Sequence, residues 1–176
     1  IDLRAQEVLD AHGIDEKRDA GLLDARVAFV LVLAVAAVAE ALGDEAHLLV
    51  DAHGAYDAYT AMQLGRALEA CGVYWFEDPL PPEDHSGYKM LSDALDMAIA
   101  AGETECNRYQ FRDRLADRAV DVLLPDICRA GGISETRKIA MLADCYQTPW
   151  AAHVSMGSPV HIAAGEHQTH ATIAVH

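Results

Sequence analysis

Apolar segments that read as buried strands alternate along this chain with amphipathic segments that read as helices, and each strand candidate ends on an ionisable residue. The strand candidates are HLLVDAH, VYWFEDP, MAIAAGE, AVDVLLPD and TPWAAHVS, and helical periodicity falls at about 24–42, 57–71, 84–95, 109–118 and 132–146. The strand-final residues Asp51, Glu77, Glu103, Asp126 and His153 follow one another at intervals of 26, 26, 23 and 27 residues. That interval is the length of one βα unit, so the pattern predicts an α/β fold with a parallel sheet. Successive strands would then deliver one polar side chain each to the same carboxyl-terminal edge. In a closed (β/α) barrel of TIM type that edge is a ring; in an open doubly wound sheet it is a line. The ring is preferred, because carboxylates on consecutive strands then converge on one point.

A complete barrel takes about 250 residues, whereas this chain has 176. The sequence therefore predicts a single, partial barrel domain over 1–176, with five strands and a weaker sixth near Ile14–Asp19. Its open strand edges call for partner segments or for a homo-oligomer. The composition, 52% hydrophobic, supplies a sizeable core, and no low-complexity linker divides the chain. With 28 acidic against 13 basic residues and a net charge of -15, most of the surface would repel nucleic acid. The longest uncharged apolar run, Val27 to Ala39, is shorter than the roughly 20 residues of a membrane span. It is read as a buried helix rather than a signal-peptide core. Cys71, Cys106, Cys128 and Cys145 form no C-x-x-C pair, which suits reduced thiols and a cytoplasmic setting.

Asp51, Glu77 and Glu103 would raise one another's pKa at adjacent strand ends unless a cation sat among them. A hard divalent ion with oxygen ligands answers that, and few carboxylates with open positions suit Mg²⁺. The alternative for each acid taken singly is a solvated strand end or a helix N-cap. One unit on, Asp126 should neighbour His153. An acid beside a histidine fixes its tautomer and raises its basicity, which makes a general base; the alternative is a core histidine beside an unrelated capping aspartate.

The segments VDAHG, YWFEDPLPPED, AAGET, VDVLLPDICRAGGISETRKIA and HVSMGSPVHIAA, in this order and spacing, resemble the barrel domain of the enolase superfamily, mandelate racemase/muconate lactonizing enzyme type. The resemblance runs from about Gly21 to Ala164. It implies a modified (β/α)₇β barrel, of which about five to six units are present here, with Asp51, Glu77 and Glu103 holding Mg²⁺. It implies His153 with Asp126 as the base that abstracts the proton α to a substrate carboxylate, giving an enediolate stabilised by the metal. The metal would neutralise the second negative charge that develops on that carboxylate.

Within the resemblance, His53 separates the alternatives. Side chains two apart on an extended segment point the same way, so His53 is expected beside Asp51. Acid-sugar dehydratases of the galactonate type carry this Asp-x-His, and the histidine there protonates the departing β-hydroxyl. Elsewhere in the family Asn is usual, which leaves a polar loop residue as the other reading. The family's Lys-x-Lys falls at Lys17 and Asp19, so the second lysine of the two-base epimerases is missing. The capping domain and an eighth strand are missing as well.

The expectation is therefore a Mg²⁺-dependent hydro-lyase that converts a sugar acid to its 2-keto-3-deoxy product. The rivals are a racemase, epimerase or lactone cycloisomerase of the same superfamily, and a non-catalytic metal-binding fragment. A zinc hydrolase is disfavoured because no His-x-His precedes the acids. Glu105 is read as a loop residue, Arg108 as a candidate contact for the substrate carboxylate, and His167 and His170 as surface residues of a frayed end.

Overall fold

The structure, a computed structural model, describes residues 25–43, 46–153 and 173–175. The weak strand expected near Ile14–Asp19, with Lys17, and the residues His167 and His170 lie outside them. In chain order the elements are α1 (Ala25–Leu42), β1 (Leu48–Asp51), α2 (Ala58–Ala70), β2 (Trp75–Glu77), α3 (His85–Ala94), β3 (Ala98–Ala101), α4 (Arg108–Ala116), β4 (Val122–Leu123), α5 (Ile133–Tyr146) and β5 (Ile173–Val175). All strand pairs are parallel, in the order β4-β3-β2-β1-β5.

Three of the helices, α2, α3 and α4, begin where side-chain oxygens replace missing backbone acceptors. Asp57 accepts from the Thr60 amide at 2.8 Å, Asp84 from Gly87 at 2.9 Å and Asn107 from Tyr109 at 3.0 Å; each such cap stabilises its helix by about 1 kcal/mol. Each helix from α2 to α5 lies within two residues of its expected span.

Alternate residues of β1 to β4 divide between two cores. Leu48, Val50, Phe76, Ile99, Ala101 and Leu123 pack with helix residues that include Leu64, Leu68, Leu91, Phe111, Leu115 and Ile139. Leu49, Trp75, Ala100 and Leu124 form a separate cluster, to which, among the described residues, only Ala98, Val122 and Ala151 are added. Helices thus cover one face of the sheet, while the other carries a small cluster of strand and strand-flanking residues. A doubly wound sheet has helices on both faces; one helical face and an inner side-chain layer belong to a β/α barrel. Fully buried Phe76 and Leu68 each contribute about 1.5–3 kcal/mol to that outer core.

Three features differ from expectation. Of the fifth strand candidate, TPWAAHVS, the described residues 148–153 make isolated parallel bridges, Leu123↔Trp150 and Asp126↔His153. Pro125 and Pro149 lack amide donors and thin the ladder there, although Leu123 N–H donates to Pro149 O at 3.0 Å and His153 N–H to Pro125 O at 3.1 Å. Second, the carboxyl-terminal segment supplies β5, with Leu48 opposite Ile173 and Val50 opposite Val175; this run of β-formers satisfies the β1 edge that would otherwise be unpaired. Third, among the described side chains of α1 only Val32 and Val35 are in the core, while Val30 is 62% exposed. Among the described residues no helix is long and apolar enough to cross a membrane.

Candidate active site

The strand parity that builds the inner cluster also aims the first two acids. Asp51 follows inward-facing Leu49 by two residues and Glu77 follows Trp75 by two, and the two acids are register partners across β1 and β2. Trp75 Nε1 donates to Glu77 Oε2 at 3.1 Å, fixing the carboxylate against the strand that carries it. Burial first, then the Asp51 charge, pushes Glu77 above the usual carboxylate range, although the Trp75 bond and His153 oppose this.

Glu103 lies beyond the end of β3 and reaches the same space by a break in the strand. Gly102 has φ 142°, and a Cβ there would stand 2.9 Å from the Leu124 amide nitrogen, so only glycine fits this close crossing. Glu103 is 7% exposed, and both its oxygens are engaged by histidines: Oε2 by His153 Nε2 at 2.7 Å and Oε1 by His53 Nδ1 at 3.1 Å.

The other ring nitrogen of His153, Nδ1, faces Asp126 Oδ2 at 3.0 Å. Asp126 is itself held by the amides of Cys128 at 2.7 Å and Arg129 at 3.0 Å, both donating to Oδ1. Burial works to raise the Asp126 pKa, but the bond to His153 and the two amide donors outweigh it and hold the carboxyl below its ordinary value. Asp126 therefore stays ionised and orients the imidazole.

The ligand atoms of Glu77, Glu103 and His153 lie within 4.8 Å of one another. Asp51 stands at the edge of this group. One of its oxygens accepts the His53 amide at 2.9 Å, and its charge acts on Glu77. The extended geometry expected for Asp51 to His53 does not extend that far: His53 has φ 50°, in the left-handed region, on a turn after β1. The histidine reaches Glu103 by that turn, with its side chain 80% exposed.

Two further residues singled out in the sequence have protein partners, and Glu105 keeps its expected loop position. Arg108 Nη1 contacts both oxygens of Glu135 at 2.7 Å and its guanidinium lies 4.8 Å from the Tyr109 ring centre, so it is committed to a partner on α5 rather than presented to a ligand. Glu105, read as a loop residue, is 5% exposed and paired with fully buried Arg114. Asp78, next to Glu77, is also buried; burial and then the Glu103, Glu105 and Glu77 charges push it up to about 7. The sequence signal for Arg114 was its place with Phe111 and Leu115 on the i, i+3, i+4 stripe of α4, all three buried.

Comparison with known proteins agrees with this architecture. The D-xylonate dehydratase of Haloferax volcanii is 42% identical over 126 residues, 72% of this chain and 30% of the relative. The D-galactarolactone cycloisomerase of Agrobacterium fabrum is 39% identical over 74% of this chain and 34% of its own length. The crystal structure of L-talarate dehydratase from Polaromonas sp. JS666, complexed with Mg and L-glucarate, superposes with a TM-score of 0.72 at 37% identity, covering 78% of this chain and 38% of that one. The chain thus spans about a third of the length of the curated relatives it matches. Residues 26–175 match the family described as enolase C-terminal domain-like, and the chain belongs to that family.

Proposed function

We propose that this chain carries the cation-holding and proton-transfer residues of an acid-sugar dehydratase, within a single partial barrel domain. The observation that carries the reading is the arrangement of two imidazoles on opposite oxygens of one buried carboxylate, with an ionised aspartate behind one of them.

The donor set suits Mg²⁺. Glu77 and Glu103 are hard oxygen donors, Asp51 adds a third at the edge, and the burial and then the Asp51 charge that raise Glu77 are what a divalent ion offsets. Asp51, Glu77 and Glu103 would hold the ion, which would supply positive charge to balance the negative charge that develops on a substrate carboxylate.

The chain's own residues then divide the proton work. Asp126 accepts from Nδ1–H of His153, which leaves Nε2 with its lone pair as the base. Nε2 removes the proton α to the carboxylate, once its contact with Glu103 has given way. His53, at the open side, donates a proton to the β-hydroxyl as the carbon–oxygen bond breaks. One water leaves, an enol forms between the α and β carbons, and ketonisation gives the 2-keto-3-deoxy acid.

The substrate class, a small sugar acid, follows the activities for which the relatives are named. The same relatives favour a second reading, lactone cycloisomerisation, since one at 39% identity is named for it. Incubation with Mg²⁺ and a panel of aldonates, aldarates and aldarolactones in D₂O separates the readings. A dehydratase forms a 2-keto-3-deoxy product with loss of water; a cycloisomerase consumes the lactone without it; a racemase or epimerase returns deuterium to an intact carbon skeleton. Mg²⁺ binding without turnover on any of these would reduce the chain to a metal-binding portion of a larger enzyme.

A further inference from the structure

Behind the acid cluster lies a second polar group that the proposed chemistry does not use. Arg114, on α4, is completely buried, and its Nε donates to Glu105 Oε1 at 2.6 Å while Nη2 donates to the same oxygen and, at 3.1 Å, to Pro82 O. Its guanidinium lies 4.5 Å from the ring centre of Tyr88, which is also fully buried. The Tyr88 hydroxyl in turn contacts Leu80 O at 2.6 Å and Asp78 Oδ1 at 3.2 Å. Asp78 holds φ 37°, a strained value for a residue with a Cβ, and is pinned by Asp78 N–H donating to Ala100 O at 2.9 Å.

The two anchored acids are sequence neighbours of the candidate ligands. Asp78 follows Glu77 directly, and Glu105 follows Glu103 by two. Arg114 therefore grips the segment after β3 through Glu105, the loop after β2 through the Pro82 carbonyl, and the Asp78 turn through the Tyr88 ring. A buried guanidinium has a planar fork that fixes direction as well as charge, which an ammonium cannot reproduce.

We propose that Arg114 is a positioning residue for the cation site: by tying the β2- and β3-terminal segments together from behind, it sets the separation of the Glu77 and Glu103 carboxylates. The inference rests on the reading of Asp51, Glu77 and Glu103 as cation ligands. It also accounts for a buried cation placed among Glu105, Asp78 and their neighbours, where its charge offsets the acids crowded at these strand ends.

The test is Arg114→Lys, read by calorimetric titration of Mg²⁺ into the full chain, with circular dichroism and thermal unfolding recorded alongside. The expected result is a cooperative fold of lower melting temperature and at least tenfold weaker Mg²⁺ binding. Ile139→Ala, which opens the outer core on α5 and touches neither Glu105, Pro82 nor Tyr88 by any hydrogen bond, is the control for destabilisation alone and should bind Mg²⁺ as the wild type does. If the lysine variant does not fold, Glu105→Gln removes the charged acceptor while keeping its shape, and the same loss of affinity is expected. Unchanged affinity in a folded Arg114→Lys or Glu105→Gln chain would overturn the positioning role alone. Equal loss in Ile139→Ala would reduce it to general stability, and absence of Mg²⁺ binding by the wild type would overturn both this inference and the reading of the site.

Discussion

Replacing Asp126 by Asn isolates the orienting function of that residue, because the amide preserves shape and much of the bonding. Asn can keep an oxygen toward the Cys128 and Arg129 amides, which donate to Asp126 Oδ1 at 2.7 and 3.0 Å. What changes is the group facing His153 Nδ1, 3.0 Å away: an NH₂ donor replaces a carboxylate acceptor. The imidazole must then accept at Nδ1 and carry its proton on Nε2, the nitrogen that should be the base. A hydrogen bond to a charged group contributes about 1.5–3 kcal/mol. At about 2–4 °C per kcal/mol for a chain of this size, the melting temperature at pH 7 should fall by about 3–12 °C. The sign with pH follows from the depressed Asp126 pKa. The stabilisation is complete above the unfolded carboxyl value of about 3.9 and disappears as pH falls through the lower folded value. The gap between wild type and variant should accordingly close in acid. Proton abstraction should slow by about 10²–10⁴-fold, the usual worth of a positioned base. Nitrogen-15 shifts of the His153 ring read the tautomer directly. An unchanged tautomer together with an unchanged melting temperature would refute the reasoning.

Two other substitutions probe separate parts of the account. His53→Ala should leave deuterium exchange at the α carbon near the wild-type rate while water loss drops by about 10²–10⁴-fold; equal loss of both steps would assign His53 a different role. Gly102→Ala forces a Cβ to 2.9 Å from the Leu124 nitrogen and 3.0 Å from Phe111 at φ 142°, and strain plus crowding should cost about 2–4 kcal/mol. A urea midpoint shift measures this, and an unshifted midpoint would mean that the β3–Glu103 break is not held by glycine.

Much of the site was legible because strand parity and βα-unit length are properties of the backbone. The spacing of Asp51, Glu77, Glu103, Asp126 and His153 located the ends of β1 and β2 at Asp51 and Glu77, the segment just past β3 at Glu103 and the Asp126↔His153 bridge beyond β4, and the structure brings Glu77, Glu103 and His153 together. The register of Asp51 with Glu77 follows from the same period. What was not legible depends on local exceptions to that period. His53 reaches Glu103 by a left-handed turn, where an extended segment was assumed. The contact of Glu135 with Arg108 joins α5 to α4 over 27 residues, a pairing that no local pattern encodes. β5 pairs with β1 from the far end of the chain, and its few residues carry no signal beyond β-propensity. Arg114 looks like any helical arginine until the apolar stripe around it is noticed.

The central claim is that Asp51, Glu77 and Glu103 share one cation. Crystals grown with Mn²⁺ in place of Mg²⁺ test it directly, since anomalous scattering places the ion without reference to the chemistry inferred for it. The account predicts a single strong peak at bonding distance from a carboxylate oxygen of each of the three acids, with His153 released from Glu103 and still held by Asp126. A peak bonded to His153 with Asp51 turned away, or no peak between the strand ends, would contradict it.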